Sequence, residues 1–589
     1  MVGAVLTVAR IVLALSGVRK KQRHEMQKDA KQNTENQIEP RQHHQANSFV
    51  RRLHQKRITR MLQHRIKSAT ALMARQRCTV GPRSVFQTRE ESPTSPKPLH
   101  RTTNNRLFSS SRKRSRRQRH LPPATKRIMF QSLGCPRNFV DTEVMLGITV
   151  QSGMEVTVNV EDADYLVVNT CGFLKSARDE SRMAIEELIQ DKNPNSKLLV
   201  TGCMVNLHKQ QILEEYPQVD SIIGSGAIDK VMETIEQLEE QQQSKSDGDD
   251  EQKKKVVQSS LYRRSFLEQG DTPRFLATPP HYAYLKIAEG CKKQCSFCII
   301  PKIKGRLQSK PISQLVEEFK GLVDQRGASE IILIAQDLGD YGKDLTKETS
   351  SLPSDLGRLL QELLHSTDNQ DLWLRLLYLY PDEITPELID IMEGDTRICR
   401  YLDMPIQHSH DDMLKLMRRK TTSQDIQQTI RMLRQRLPGI HIRTSLMVGF
   451  PGETEEHFSH LLDFVKEFEL DNVGVFVYSD EKLAYSSKLP NHVPEAVKED
   501  RYDRLMQAQL EIVRRRNQQR VDAKERLRVV VEGMQDDNIV GRYYGQCPDI
   551  DGQVILQGTP RVFAGERYWV ELTSFDEYDL IGRVVEGPK

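Results

Sequence analysis

From residue 126 onward, short apolar runs alternate with helical patterns, and this alternation constrains the fold more than any other feature of the 589-residue chain. The first runs lie at 127–130, 165–168, 197–200 and 221–223, with helical spacing near 141–151, 177–190, 207–216 and 228–240. Strands separated by helices return in the same direction, so these residues predict a parallel α/β sheet. Residues 241–258, QQQSKSDGDDEQKKKVVQ, are charged and of low complexity, and 241–280 reads as a linker or surface insertion. A second array follows, with strands expected at 282–287, 330–334, 373–378, 401–404, 442–448 and 473–478. Helical patterns at 312–325, 424–437 and 455–468 lie between them. Six such units suit an open (β/α)6 barrel, since a closed eight-unit barrel needs more chain. After a charged helix near 500–520, residues 527–585 read as short strands joined by Gly-containing turns, a small β-barrel. The expected parts are therefore 1–126, 127–240, 281–520 and 521–589.

Composition separates the first part from the rest. Residues 1–126 carry a net charge of +23 and residues 127–589 one of −18. The basic part has no sustained apolar periodicity with which to bury a core, so it is expected to be a disordered extension. Its first 21 residues lack acids and set Arg10, Arg19, Lys20 and Lys21 among apolar residues, as organelle transit segments do. Delivery to a mitochondrion or plastid is the expectation. A misassigned start, or a basic tail that touches nucleic acid through charge in the cytoplasm, is the alternative. Arg10 interrupts the best apolar run before it reaches the ~18 residues that cross a bilayer, so no membrane association is expected. Nine cysteines are too sparse for a disulfide scaffold, and their placement carries the information.

EGCKKQCSFC places Cys291, Cys295 and Cys298 at CxxxCxxC spacing directly after the first strand of the second array. Three thiolates on one short loop can hold three irons of a 4Fe-4S cluster and leave the fourth open. A structural zinc site usually presents two separated ligand pairs, and no second pair follows. Unligated core cysteines are the plainest alternative. Cys135, Cys171 and Cys203 each end an expected strand of the first sheet, and parallel strands put their carboxyl ends on one edge, where α/β sheets bind ligands. By spacing alone, a ligand set and three buried structural cysteines fit equally well.

The CxxxCxxC loop and its position resemble the radical S-adenosylmethionine superfamily, whose partial (β/α)6 barrel carries this loop at its mouth. SLGCPRNFVDTEVMLG (132–147), NTCGFLKSARDES (169–181) and TGC (201–203) resemble the amino-terminal domain of the methylthiotransferases. Within that group the resemblance is to the ribosomal-protein aspartate methylthiotransferases, the RimO family. It is carried by CPRNFVDTE (135–143), HYAYLKIAEGC (281–291), GRLQSKP (305–311), LIAQDLGDYG (333–342), YLDMPIQHS (401–409), GFPGETEE (449–456) and PDIDG (548–552). The tRNA-modifying relatives typically have Gln-Met-Asn after the first cysteine, where this chain has Pro136-Arg137-Asn138.

The resemblance implies two 4Fe-4S clusters, an auxiliary one on Cys135, Cys171 and Cys203 and a radical-generating one on Cys291, Cys295 and Cys298. It implies S-adenosylmethionine as methyl donor and as source of a 5′-deoxyadenosyl radical. The substrate would be small-subunit ribosomal protein twelve, methylthiolated at the β-carbon of an aspartate with help from a reductant and a sulfur donor. A tRNA adenosine methylthiotransferase is the alternative. Cys78, Cys399 and Cys547 match no ligand position.

Glu289 and Gly290 before the loop, Phe297 within it, Gln336 and Asp337 after the second strand and Gln407 after the fourth face the expected mouth and are candidate cofactor contacts. Strand ends are also polar simply because they are solvated. The turn at 449–452 and the loop holding His408 and His410 have ordinary structural explanations. Residues 478–487, YSDEKLAYSS, lack the Gly-Thr pair of the family. The final barrel resembles a TRAM domain, yet residues 525–589 hold 12 acids and 7 bases, a balance that argues against specific nucleic-acid binding.

Overall fold

The computed structural model describes residues 125–243, 255–258, 272–345, 355–535, 537–558 and 561–587. The extension up to residue 124, with Cys78 and the expected transit segment, and much of 241–280 lie outside the described residues.

The first sheet is parallel throughout, in the order β2-β1-β3-β4-β5-β6. Its strands are β1 (Arg127–Ser132), β2 (Glu155–Val156), β3 (Tyr165–Thr170), β4 (Lys197–Gly202), β5 (Ser221–Gly224) and β6 (Val256–Gln258). Helices α1 (Pro136–Gln151), α2 (Lys175–Asp191), α3 (Cys203–Glu215) and α4 (Val231–Gln243) cover both faces. Met145 and Leu146 of α1 and Ile235 of α4 pack on Ile128, Val167 and Leu199, while Ile185 of α2 and Ile212 of α3 pack on Leu166, Val168 and Val200. Burial on both faces explains why these strands read as unbroken apolar runs. Val256–Gln258, at the end of the segment expected to be an insertion, instead completes the sheet beside β5.

The second sheet is an arc in the order β14-β13-β12-β11-β10-β7, again parallel. Its strands are β7 (Tyr282–Lys286), β10 (Glu330–Ile334), β11 (Trp373–Leu376), β12 (Ile398–Asp403), β13 (His441–Val448) and β14 (Asn472–Val477). The short strands β8 (Ala288–Glu289) and β9 (Gln308–Ser309) pair beside it. Helices α5 (Ile300–Lys304), α6 (Ile312–Lys320), α7 (Leu356–His365), α8 (Pro386–Gly394), α9 (Asp411–Leu416), α10 (Ser423–Arg436), α11 (Glu455–Phe468) and α12 (Glu495–Asp522) connect and follow these strands. Side chains alternate along each strand. Ile331, Leu333, Leu374 and Leu446 face the helices, and Tyr282, Tyr284, Ile332, Ile334 and Tyr401 fill the interior of the arc with Val140 of α1 and Cys547.

The last five strands, β15 (Arg526–Gln535), β16 (Asn538–Arg542), β17 (Val554–Leu556), β18 (Arg567–Asp576) and β19 (Asp579–Glu586), close a barrel in the order β15-β16-β17-β19-β18. This barrel seals the end of the arc where the strands begin. Glu330 at the start of β10 accepts from Arg375 Nε at 2.7 Å and Arg542 Nη2 at 2.9 Å, and Tyr401 donates to Asp551 Oδ2 at 2.8 Å. The carboxyl ends of the arc are thereby left to the first sheet. Among the described residues, no helix is long and apolar enough to cross a membrane.

Candidate active site

Cys135 caps the start of α1 after β1, Cys171 directly follows β3, and Cys203 opens α3 after β4. These three strands are neighbours, so cysteines more than thirty residues apart meet at one edge. Gly134 makes that approach possible. Its φ is +85°, and a Cβ placed there would stand 2.8 Å from Cys171 Cβ and 3.1 Å from its Sγ. Asn138 ties the edge together, donating to Leu133 O at 2.9 Å and Thr170 O at 3.2 Å, with Cys203 Sγ 3.9 Å from its Oδ1.

Cys291, Cys295 and Cys298 lie on the loop between β8 and α5. Gly290 enters it at φ +73°. The backbone amides of Lys293 and Ile300 donate to Cys291 Sγ and Cys298 Sγ, each at 3.4 Å. Arg419 Nη1 and Tyr380 Oη each lie 3.7 Å from Cys295 Sγ. Ser296 fastens the loop from beneath, its hydroxyl donating to Leu416 O at 2.8 Å.

The two thiol sets face a common cleft. Cys203 packs with Ile299 and Ile303 beside the second set, and Arg137 of α1 donates to Ala335 O, at the end of β10, at 2.6 Å. Beneath them lies a buried charge network. Lys286 pairs with Asp141, and with Glu289 at 3.2 Å; Lys304 is 3.2 Å from Asp141 and 3.5 Å from Glu289. The burial of Glu289 opposes its charge, but Lys304 and Lys286 outweigh it and hold its carboxyl at about 2.

All six cysteines are unpaired by disulfides. Burial pushes the Cys171 and Cys291 thiols up to about 11, and those of Cys203 and Cys298 to about 12. Without a cation they stay protonated; an iron ion supplies the charge that draws off the proton. Each set offers three soft donors and no fourth, which fits a cluster with one open iron.

The other candidate residues are distributed differently. Glu289 is buried in the lysine network, and Gln336 Nε2 donates to Glu289 Oε1 at 3.1 Å. Asp337 accepts from Gly339 N at 3.1 Å and pairs with Lys293 at 3.3 Å. Phe297 packs on Met413, Met417, Phe450 and Tyr478. Gln407 stands at φ +71° and bridges to Leu446 on β13. His408 Nε2 lies 3.3 Å from Glu453. His410, Asp412 and His457 bring ligand atoms within 4.8 Å of one another. However, His410 Nδ1 and His457 Nδ1 each accept a backbone N–H, which puts the ring protons on Nε2 and disfavours a metal there. Sequence reasoning missed Lys286, Lys304, Lys293, Tyr380 and Arg419, which, apart from the Lys286–Glu289 and Lys304–Glu289 pairs, find their partners far away in the chain.

Known proteins resemble each part of the described chain. Residues 127–224 match a group described as Uncharacterized protein family UPF0004, residues 285–465 the Radical SAM superfamily and residues 525–585 the TRAM domain. The chain is thus an enzyme of the radical S-adenosylmethionine superfamily, which implies an iron–sulfur cluster and S-adenosylmethionine as cofactors. It is 48% identical over 464 residues to the ribosomal protein uS12 methylthiotransferase RimO of Protochlamydia amoebophila, covering 78% of this chain and 92% of that one. It is 46% identical to that of Chlamydia abortus, covering 78% and 95%, and 41% identical to that of Desulforamulus reducens, covering 77% and 98%. The chain belongs to the RimO family of ribosomal protein uS12 methylthiotransferases. Among solved structures, the radical S-adenosylmethionine methyltransferase TsrM of Kitasatospora setae aligns with a TM-score of 0.43 at 15% identity, over 60% of this chain and 75% of that one. The sequence relatives are bacterial. The organelle delivery expected of residues 1–126 gains no support from them.

Proposed function

We propose that the chain methylthiolates an aspartate of small-subunit ribosomal protein uS12 at its β-carbon, with residues 127–240, 281–520 and 521–589 as its working parts. In this reading Cys135, Cys171 and Cys203 hold an auxiliary 4Fe-4S cluster, and Cys291, Cys295 and Cys298 hold the one that engages S-adenosylmethionine. When bound, these groups supply reductive cleavage of S-adenosylmethionine and delivery of sulfur and methyl. The protein's share is placement. The loop amides and Arg419 direct positive dipole and charge at the second thiol set.

The observation that carries this reading is the pair of three-thiol sets across one cleft. A reductant and a sulfur donor are required partners. Modification of uS12 is favoured over tRNA by the relatives and by the acidic final barrel. Among the described residues of that barrel, the largely buried charges are Arg542 and Arg567 on one side and Glu571 and the Asp551 side chain on the other, so burial does not offset the excess of acids. Protein reconstituted without oxygen should hold about eight irons. Alanine at Cys291, Cys295 and Cys298 should remove about half of them and abolish S-adenosylmethionine cleavage. Alanine at Cys135, Cys171 and Cys203 should remove the other half, spare cleavage and end methylthio transfer to uS12, read by mass spectrometry. Full iron in either variant, or modification of tRNA and not uS12, would overturn the reading.

A further inference from the structure

Arg137 stands at this cleft with no carboxylate in ion-pair contact among the described residues; Glu289 acts on it only from beyond that distance. Cys135 at the cap and Pro136 in the first turn fix where its side chain leaves α1. The chain then crosses from the first sheet to the mouth of the second. Nη1 donates to Ala335 O at 2.6 Å, and the guanidinium carbon stands 5.0 Å from the centroid of the Tyr378 ring. Tyr378 adopts φ +62°, a conformation that costs a tyrosine about 1 kcal/mol or more and is held here where it faces Arg137. Nε is buried with no hydrogen-bond partner. Nη2 makes no hydrogen bond among the described residues, and no carboxylate of theirs lies within ion-pair distance of the group. With Nη1 turned to Ala335, the Nε and Nη2 edge, the side-on fork that grips a carboxylate with two parallel bonds, is left without a partner among the described residues.

The surrounding charges balance without it. Lys286 and Lys304 are matched by Asp141 and Glu289, all four nearly inaccessible to solvent. A partly buried guanidinium whose direct contacts are a carbonyl and a ring, with Glu289 and the Cys135 and Cys203 thiols acting on it from further away, can take an anion of its own.

The position of the gap says which anion. Hydrogen is removed from the side of one thiol set and sulfur arrives from the side of the other, so the reacting carbon must lie between them. In an aspartate that carbon is one bond from the carboxylate. A cation gripping the carboxylate therefore fixes the carbon as well. We propose that Arg137 receives the side-chain carboxylate of the substrate aspartate through its Nε and Nη2 edge and is the residue that makes the enzyme specific for an acidic side chain. This rests on the assignment of the substrate as an aspartate of uS12. The rival role is that of a counter-ion to the auxiliary cluster.

The experiment uses the full-length, cluster-reconstituted enzyme with uS12 and with uS12 whose target aspartate is changed to asparagine. Wild-type enzyme should bind the asparagine protein about tenfold to a hundredfold more weakly. Arg137→Met should bind both equally and weakly, with wild-type iron content and visible spectrum. Arg137→Lys should recover part of the preference. If wild-type enzyme modifies the aspartate yet binds both proteins equally, the proposal fails while the substrate assignment stands. If Arg137→Met loses iron but keeps the preference, the arginine serves the cluster and the proposal is overturned. If wild-type enzyme does not modify the aspartate, the substrate assignment falls and takes the proposal with it.

Discussion

Lys293, two residues after the first cysteine of the CxxxCxxC loop, shows how a single side chain sets the shape of that loop. Its Nζ lies 2.6 Å from Glu383, 3.2 Å from Asp382, 3.3 Å from Asp337 and 3.8 Å from Asp340. Asp337, Asp340 and Glu383 bring oxygens within 4.8 Å of one another, an arrangement that without a cation would push itself apart. The Lys293 ammonium is the most central of three that supply it: Lys343 lies 3.1 Å from Asp340 and 2.5 Å from Glu383, and Lys292 lies 3.6 Å from Asp340. Even so, burial together with Asp340 and Glu383 raises the Asp337 carboxyl to about 7. Lys293→Met should destabilise the protein by about 3–5 kcal/mol, the range for breaking a buried ion pair, as read by urea unfolding. It should also cost the iron of this loop while sparing that on Cys135, Cys171 and Cys203. An unchanged urea midpoint would show that Lys343 and Lys292 neutralise the acids without it. The three cysteines were legible because they fall within eight residues of one another. The acids that steady them come from 44 to 90 residues further along, so no local spacing announced them. Asp337 stood out from its strand-end position, but its partner did not.

The element on which both halves of the cleft depend is α1. Asn138 holds it to its own sheet, Asp141 reaches Lys286 and Lys304, and Glu143 accepts from Arg274 Nη2 at 2.6 Å and from Ala277 N at 2.7 Å. Each of these polar residues is almost fully buried. Asp141→Asn would leave Glu289 as the single buried carboxylate facing two ammonium groups, at a cost of about 3–5 kcal/mol. Because the change loosens one sheet relative to the other, methylthio transfer should fall much further than S-adenosylmethionine cleavage, and the ratio of 5′-deoxyadenosine to modified uS12 should rise. Equal losses of both would place the damage in the arc alone. The buried parallel strands were legible from their apolar runs, and β12 was placed three residues late because Arg400 interrupts it. The edge strands β2 and β6 hold two and three residues, too few for any periodicity to appear. The first turn of α1, with Pro136, Arg137 and Asn138, looked like loop because its polar groups find their partners in another part of the fold. The helix nevertheless begins at Pro136 rather than near 141.

At the scale of the whole molecule, the final barrel was legible as a domain but not in its position, which charge totals do not encode. It sits under the arc, where Glu330 joins Arg375 of β11 to Arg542 of β16, and Arg567 Nη2 donates to Ser329 O at 2.9 Å. Replacing hydrophobic surface by such a buried charge cluster adds little net stability, but it makes docking depend on every member being correctly charged. His441, at the start of β13, lies in this seam. Its ring stands edge-on to Tyr543 and Tyr544, with centroids 5.3 Å and 5.6 Å away, and its Nδ1 is 3.4 Å from Asp471. Burial pushes the imidazole down to about 4; Asp471 opposes the shift, and Arg520 and Arg516 reinforce it. An unfolded histidine titrates near 6.5, so between about pH 6.5 and 4 the unfolded chain binds a proton that the folded seam refuses. Stability from this group is therefore complete above pH 6.5 and is lost as the pH falls towards 4, by about 3 kcal/mol in all. His441→Gln keeps a polar side chain of similar reach that cannot acquire a charge. Its urea midpoint should thus fall less than that of the wild type between pH 7.5 and 4.5, and hydrogen exchange in β15 to β19 of the wild type should rise selectively over the same interval. Parallel pH curves for the two proteins would mean that His441 takes up its proton without disturbing the seam, and that the other contacts of the barrel hold it without this histidine.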